Sequence, residues 1–477
     1  MMKKKRRTPV TIEQVEIIDA GAEGVAVAKP GEKVVFIPFG APGDVVDVEV
    51  FKKKRNYFEG RILHIHKESD KRTSPACSHF GLCGGCKWQH LDYSWQLHFK
   101  QKQVKDSLER IAHIEAPDIR PILRSDEMYY YRNKLEFTFS NRKWLLDGSP
   151  SGTKHEDELK GLGFHLPGMF DRILAIEHCY LQADPSNAIR MAVKDYAMKH
   201  GIGYYDIRAQ EGLLRNLIIR NSLAGEVMVI LVSGASDARI ENGLIPYLTE
   251  QFPAIKSLIY VVNTKGNDTI NDLPFQVING EPYIVEEMAS PIAGFPPLRF
   301  RIGPVSFYQT NPVQAEKLYR AAFDFAGFDG NEVVYDLYTG TGTIANYIAR
   351  SVKKVIGIEY VEAAVADARI NSEINDIHNT TFIAGDMSAV LDETFSSAHG
   401  RPDVIITDPP RAGMHPKVVA QLMALEAPKI VYISCNPATQ ARDLMVLKEK
   451  YVIAGIQPVD MFPQTQHVEN IVLLTLK

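Results

Sequence analysis

The chain carries five cysteines, and their placement points to two kinds of chemistry. Cys435 stands alone at the tip of the run Ile430-Val431-Tyr432-Ile433-Ser434. Consecutive β-branched and aromatic apolar residues predict a buried strand too short for a helix, and Asn436-Pro437 ends it. Open α/β sheets bind ligands just outside the carboxyl ends of their strands. A thiol there is placed to act as a nucleophile once deprotonated. Cys77, Cys83 and Cys86 instead form a C-x5-C-x2-C array with glycines between them, which is ligand spacing rather than core spacing. A closed site needs a fourth thiolate, and Cys179 is the candidate apart from Cys435. The spacing fits a four-cysteine zinc site and a [4Fe–4S] cluster alike, and His79 and His90 are further donors for zinc.

Acids at strand ends supply the second set of groups. Glu332-Val333-Val334-Tyr335-Asp336-Leu337 reads as a buried strand ending in an acid, followed by Tyr338-Thr339-Gly340-Thr341-Gly342-Thr343 and a helix through Arg350. Glycines at a strand-to-helix turn let the backbone approach a ligand closely. The next strand, residues 354–359, ends in Glu359, placed for a ribose diol. Residues 380–384 lead to Gly385-Asp386, suited to an adenine amino group, and residues 403–407 lead to Asp408-Pro409-Pro410-Arg411. A nicotinamide dinucleotide fits part of this pattern, but strand, Asp, Gly-x-Gly, strand, Glu is closer to a class I S-adenosylmethionine fold. Asp-Pro-Pro after the fourth strand also fits methylation of a base's exocyclic amine. Cys435 decides between the two. A pyrimidine C5 is too weak a nucleophile to be methylated unaided, and thiolate addition at C6 makes it enolate-like, whereas an amine needs no such help. The last two strands, residues 451–461 and 471–476, are expected to close as a hairpin beside the fifth. That brings Glu469 near Cys435, where it would accept the C5 proton before the thiol leaves; His467 is the local rival.

These groups need a scaffold, and 477 residues at 45% hydrophobic and 23% charged content make an ordinary globular protein of several domains. Residues 8–66 alternate short apolar runs with turn signals, which predicts about five strands and a small barrel of the oligonucleotide-binding type. Lys52-Lys53-Lys54-Arg55 beside Tyr57 and Phe58 offers phosphate charge next to stacking surface. Residues 1–72 hold 15 Lys and Arg against 11 Asp and Glu within a chain of net charge -4, a basic front end on an acidic body that suits a localised polyanion contact. A helix is expected over 93–115, then a strand-rich region to about 304 with one helix near 187–200 and loops at 148–152 and 267–268. A further helix is expected over 313–327. No secretory signal and no membrane-spanning run is evident, and so few cysteines fit a reducing cytoplasm.

The combination resembles a known family. Gly21-Ala22-Glu23-Gly24-Val25-Ala26 followed by Phe39-Gly40-Ala41-Pro42-Gly43-Asp44 resembles the TRAM domain of RNA-modifying enzymes. Arg301 to Asn311, Asp336-Leu337-Tyr338-Thr339-Gly340-Thr341-Gly342, Asp408-Pro409-Pro410-Arg411, Ser434-Cys435-Asn436-Pro437 and His467-Val468-Glu469 resemble the RNA uracil-C5 methyltransferases, which make 5-methyluridine in transfer RNA and ribosomal RNA. The ribosomal branch is the more similar, since it pairs a TRAM domain with Cys-x5-Cys-x2-Cys and a distant fourth Cys. The resemblance implies a multidomain α/β protein: a TRAM barrel over 1–72, a β-rich cluster-bearing central domain over 73–300 and a class I S-adenosylmethionine-dependent methyltransferase domain over 301–477. It further implies Cys435 as nucleophile and Glu469 as base, with Gln309, Tyr338, Glu359, Asp408 and Asp386 holding S-adenosylmethionine and Phe307 stacking on the target uracil. Cys77, Cys83, Cys86 and Cys179 would hold a [4Fe–4S] cluster, with zinc as the alternative. The implied partner is RNA, ribosomal before transfer RNA, with no membrane and no obligate protein partner evident. One departure stands out: the family's turn more often reads aromatic-Cys-Gly, and here it is Tyr338-Thr339-Gly340. A cytosine-C5 methyltransferase shares the cysteine chemistry. Radical S-adenosylmethionine enzymes use C-x3-C-x2-C, and a non-catalytic RNA-binding cluster protein would not need Cys435 and Glu469.

Overall fold

The computed structural model describes residues 10–115, 118–145 and 155–477. The basic opening 1–7 and the expected loop 148–152 lie outside the described residues. Strands β1 (Val10–Ala20), β2 (Val25–Ala28), β3 (Val34–Pro38), β4 (Val45–Lys53) and β5 (Tyr57–Lys67) close into a barrel in the order β1-β2-β3-β5-β4. Alternation closes it. Val35, Ile37, Val46 and Val48 point inward and are fully buried, while Val34, Phe36, Val45 and Asp47 face outward and are not. The barrel and its five strands are those expected from the turn spacing.

The central region is a seven-stranded sheet in the order β12-β11-β10-β9-β6-β7-β8. Its strands are β6 (Lys134–Ser140), β7 (Gly161–Leu166), β8 (Met169–Ala175), β9 (Leu214–Asn221), β10 (Val227–Ser233), β11 (Ile255–Val262) and β12 (Gln276–Gly280). Helix Ser186–Lys199 packs Ile189, Val193 and Ala197 against one face. Sequence reading missed β8 and helix Ile245–Gln251, and also the hairpin of β13 (Ile284–Met288) with β14 (Leu298–Ile302). The hairpin is hidden by Glu286, a charged residue in a core-facing position. It is fully buried, accepts from the Leu223 amide at 2.8 Å, and burial pushes its carboxyl up to about 7. Leu298, Phe300 and Ile302 of β14 join the same apolar core as Val334, Val355 and Phe382 further along the chain.

The C-terminal sheet comprises β15 (Val333–Leu337), β16 (Lys354–Glu359), β17 (Thr380–Ala384), β18 (Val404–Thr407), β19 (Lys429–Ser434), β20 (Tyr451–Val459) and β21 (Glu469–Leu476). Its order is β17-β16-β15-β18-β19-β21-β20. The first five are parallel, and the inner ones, β15, β16, β18 and β19, are mostly apolar, as strands covered on both faces must be; the edge strand β17 leaves Thr381 and Ala384 exposed. The final two form the antiparallel hairpin beside β19 that the sequence leads one to expect. Order reverses between β15 and β18, which places the ligand crevice at the carboxyl ends of those strands. Helix Tyr93–Arg110 precedes the central sheet in the chain, yet its Val104 and Leu108 pack into the core of this C-terminal unit with Leu444 and Leu447. Among the described residues no helix is long and apolar enough to cross a membrane.

Candidate active site

Cys435 follows β19 directly and stands just before helix Pro437–Leu447, whose N-cap Asn436 accepts from the Ala438 amide at 3.1 Å. Antiparallel pairing sets Ser434 opposite Asn470. The next residue on each strand is therefore Cys435 on one and Glu469 on the other, at the same end of the sheet. A helix N-terminus favours a thiolate, but here burial and then repulsion from Glu469 and Asp408 push the thiol up to about 12, with Arg411 opposing. Glu469 is buried, and burial followed by the charge of Asp408 holds its carboxyl well above the ordinary range. Asp408, at the end of β18, is raised by burial and then by Asp336. Buried Tyr319 lies behind this group: its hydroxyl feels Asp408, Asp336 and Glu469 and is hydrogen-bonded to Gln309. Three crowded carboxylates make a pocket of negative potential that suits a cation.

The rival base is placed differently. Both ring nitrogens of His467 lie 3.2 Å from Arg411, and burial followed by that guanidinium lowers the imidazole to about 4. A group so reluctant to take a proton is a poorer acceptor than Glu469. In the sequence Arg411 is no more than the end of a motif. In the structure it is the cation that faces the thiol, Glu469 and His467 together.

The residues expected to face a cofactor stand at and around the turn after β15. Tyr338 adopts a left-handed backbone with φ 63°, and its hydroxyl is raised to about 12 by burial and then by Asp443, Asp386 and Glu359. Glu359 accepts from the Gly340 amide at 3.1 Å and from the Val361 amide at 2.9 Å. It thereby fixes the glycine turn as well as facing the crevice, a role its position in the sequence did not announce. Gly342 has φ 75°, and a Cβ there would stand 2.9 Å from the Ala368 methyl, so the turn admits only glycine. The departure at Thr339 has a structural use: its hydroxyl donates to Asp336 at 2.5 Å. Asp386 is exposed, and one oxygen caps helix Met387–Val390 through Ser388.

Phe307 is 66% exposed on the loop after β14, and its carbonyl accepts from the Thr341 hydroxyl at 3.3 Å. The central sheet holds that loop. Asn133 donates to the Gln309 carbonyl at 3.1 Å, and Arg220 donates to the Ser306 carbonyl at 2.8 Å. The loop leading to Glu469 is clamped from the other side. Lys100 and Asp460, both wholly buried, pair at 2.5 Å, and the amides of Lys87 and Trp88 each donate to the Gln464 carbonyl at 3.0 Å.

Cys77, Cys83, Cys86 and Cys179 line one cavity of about 430 Å³ with Phe164, Ile176 and Leu181. Burial, and after it the neighbouring sulfurs, push Cys83 up to about 11 and Cys86 up to about 12. Among the described residues no three His, Cys, Asp or Glu side chains are gathered closely enough to hold a single metal ion. His79 accepts from the Glu177 amide at 3.1 Å, and His90 lies 3.1 Å from the Gly40 carbonyl, so one nitrogen of each histidine is engaged with backbone. The cysteines thus share a site without converging on one point, and the histidines serve the loops around it.

Residues 280–477 match the family model of tRNA (uracil-5-)-methyltransferases, and residues 6–63 match the TRAM domain. An uncharacterized RNA methyltransferase of Bacteroides thetaiotaomicron is 53% identical over 96% of this chain and 100% of its own. One from Porphyromonas gingivalis is 50% identical over 96% of this chain and 99% of its own. Among solved structures, the Pyrococcus abyssi tRNA (uracil-54, C5)-methyltransferase in complex with S-adenosyl-L-homocysteine is similar with a TM-score of 0.74 and 28% identity, covering 97% of this chain and 100% of that one. With the closed barrel in front and the seven-stranded sheet behind, the chain belongs to the RNA uracil-C5 methyltransferases and is an S-adenosylmethionine-dependent enzyme acting on RNA.

Proposed function

We propose that this enzyme methylates uracil C5 through a covalent adduct, with Cys435 as nucleophile and Glu469 as base. The observation that carries the reading is the β19–β21 register, in which Ser434 faces Asn470 and the two reactive groups follow on adjacent strands. S-adenosylmethionine, when bound, supplies an electrophilic methyl group on a positively charged sulfonium. Tyr338, Glu359 and Asp386 would hold its nucleoside, and Gln309 and Asp408 its charged end, consistent with the acidic pocket they share. Phe307, exposed beside the glycine turn, would stack on the uracil. Cys435, having lost its proton, would add to C6 as the thiolate, and the C5–C6 π electrons would shift to leave C5 enolate-like and able to take the methyl group. After methylation Glu469 would take the C5 proton, the C5–H electrons would restore the C5=C6 double bond, and the C6–sulfur bond would break with its electrons on sulfur, releasing the thiolate. Raised proton affinity at Glu469 and depressed affinity at His467 support that division.

For the cysteine-lined cavity the reading is a [4Fe–4S] cluster held by Cys77, Cys83, Cys86 and Cys179. A cluster spreads its thiolates over four irons, whereas zinc draws four ligands onto one ion. A shared room of about 430 Å³ favours the former. Its stake in the reaction is positional, because the segment just after Cys86 holds the Gln464 carbonyl of the base loop.

Ribosomal RNA is the proposed substrate, on the pairing of a TRAM domain with this cysteine array. Transfer RNA is the second reading, favoured by the name of the solved relative. Transfer of a tritiated methyl group to fractionated RNA, followed by nucleoside analysis, tests both. The expected product is labelled 5-methyluridine in the ribosomal fraction. Label in transfer RNA alone would select the second reading, 5-methylcytidine would overturn uracil as the target base, and label on an exocyclic amine would overturn the chemistry.

A further inference from the structure

Arg411, the cation that faces Cys435, Glu469 and His467, is itself exposed, and its guanidinium meets the His467 ring at 3.2 Å. A long exposed side chain is free to wander, so where its charge dwells depends on how firmly its backbone is held. Helix Pro437–Leu447 and its cap hold it from below. Asn436 and Thr439 donate to the Arg411 carbonyl at 3.1 and 3.2 Å. Gly413, with φ 76°, turns so close to the helix that a Cβ there would stand 2.6 Å from an Arg442 nitrogen and 2.9 Å from an Asp443 oxygen. Asp443 is buried, and its Oδ2 accepts from the Met414 amide at 3.0 Å and from the Tyr432 hydroxyl at 2.7 Å. Its Oδ1 accepts from Arg442 at 2.8 and 2.9 Å, and Arg442 in turn donates to the Met414 carbonyl at 3.1 Å. Both backbone groups of Met414, three residues past Arg411, are thus tied to one ion pair on the helix.

We infer that Asp443 is a positioning residue: through Met414 it holds residues 410–414 so that the Arg411 guanidinium stays turned toward the Cys435 thiol, an inference that rests on the reading of Cys435 as nucleophile. The thiol is faced by Glu469 from β21 and by Asp408 from the end of β18, and Arg411 is set against both. A buried thiol crowded by carboxylates stays protonated, and a cation held beside it restores some thiolate. Asp443 can act on that balance in two ways, and they differ in sign. Were its charge to act on the thiol directly, removing it would make the thiol more acidic. Acting through the loop, its removal releases Arg411 and makes the thiol less acidic.

The test is the rate at which iodoacetamide alkylates Cys435 in the full-length protein at one fixed pH near neutrality, read by mass spectrometry of the peptide that contains it. Iodoacetamide is uncharged, so Arg411 does not steer it. Arg411→Gln should slow alkylation by about 3- to 60-fold, the effect of losing a neighbouring cation after allowance for the greater intrinsic nucleophilicity of a less acidic thiol. Asp443→Asn should slow it in the same direction and by less, and the double variant should be no slower than Arg411→Gln alone. Faster alkylation in Asp443→Asn would overturn the inference, as would a double variant slowed by the product of the two single effects. So would an Asp443→Asn that melts earlier but alkylates as wild type does, which would leave Asp443 a purely structural residue, or an Arg411→Gln without slowing. If Asp443→Asn does not fold, Tyr432→Phe removes one donor to the carboxylate and leaves the charge in place. It should slow alkylation slightly and add nothing to Arg411→Gln, and no slowing there would overturn the inference equally. Methyl transfer is not read in this experiment, so failure of the methylation chemistry would be seen separately, in the tritium assay.

Discussion

Asp44 and Glu469 are both buried carboxylates, and they are surrounded in opposite ways. Asp44 sits at the entry to β4 with no exposed surface, and four donors fill its oxygens. The amides of Ala41 and Ser69 reach it at 2.7 and 2.9 Å, and Arg72 approaches with two nitrogens at 2.6 and 2.8 Å. Burial pushes its carboxyl up, but these hydrogen bonds outweigh it and hold the group below the ordinary range. At Glu469 no hydrogen-bond donor among the described residues reaches the carboxylate, and burial and a second carboxylate, Asp408, outweigh the opposing charge of Arg411. The first acid is finished by the chain and ties the barrel to Ser69 and Arg72, in the segment beyond its last strand. The second is left unfinished, at the mouth where substrate and cofactor would enter, which is how a fold keeps a group available for chemistry.

If that contrast is right, replacing the unfinished groups should destroy chemistry and spare the fold. Cys435→Ala should abolish methyl transfer and leave no covalent RNA adduct, with RNA and cofactor still bound and melting unchanged. Near-normal turnover in this variant would remove Cys435 from the reaction. Glu469→Gln should lower turnover by about 10²- to 10⁴-fold, and it should fail later. Attack and methylation still proceed, the C5 proton stays, and a methylated protein–RNA species survives denaturing electrophoresis. A silent Glu469→Gln without adduct, or an adduct that instead accumulates in His467→Ala, would reassign the base. In wild type the elevated carboxyl of Glu469 predicts a turnover that falls as pH drops through a value above the ordinary 4.5, because only the ionised form accepts the proton.

The finished group should behave the other way. Asp44→Asn should leave the chemistry intact and cost about 3 kcal/mol of stability at neutral pH, since it leaves Arg72 without its charge partner. The carboxyl of Asp44 is depressed on folding, so its contribution is present above the unfolded value near ~3.9 and is lost as pH falls through the folded value below it. Melting temperatures of wild type and variant should therefore converge on acidification below that point. A gap that stays constant to the lowest workable pH would mean that packing, not charge, accounts for the loss.

The same contrast explains what was legible in the chain. β15, β16, β18 and β19 are largely buried and read as mostly apolar runs, while the edge strand β17, with Thr381 and Ala384 exposed, is marked by the Gly385-Asp386 that follows it. The ends in Leu337, Glu359, Ala384, Thr407 and Ser434 could thus be placed to within a residue. The pairing of β21 with β19 followed from the expected closing hairpin. What could not be read are groups whose meaning comes from distant donors. Asp44 gains its role from Ser69 and Arg72, about 25 residues on. Glu286 breaks an apolar pattern only because Leu223 supplies an amide. Lys100 reads as one more charge on helix Tyr93–Arg110, whose core packing lies with the C-terminal unit and whose charge is spent on Asp460.

Glu359 falls between the two extremes, and its replacement should have the smallest effect of these. Its oxygens already accept from the amides of Gly340 and Val361, yet the side chain is only half-buried and opens on the crevice beside Tyr338. A carboxylate has more acceptor capacity than two amides use, so a ribose diol can share it without displacing either. Glu359→Ala should raise the KM for S-adenosylmethionine by about 10- to 150-fold, the loss of roughly 1.5–3 kcal/mol from a charge-assisted hydrogen bond, while kcat at saturation changes little. Glu359→Gln, which keeps an acceptor for one amide, should recover part of the loss. If both variants instead bind the cofactor normally but melt earlier, Glu359 belongs with Asp44, as an acid the fold has already used.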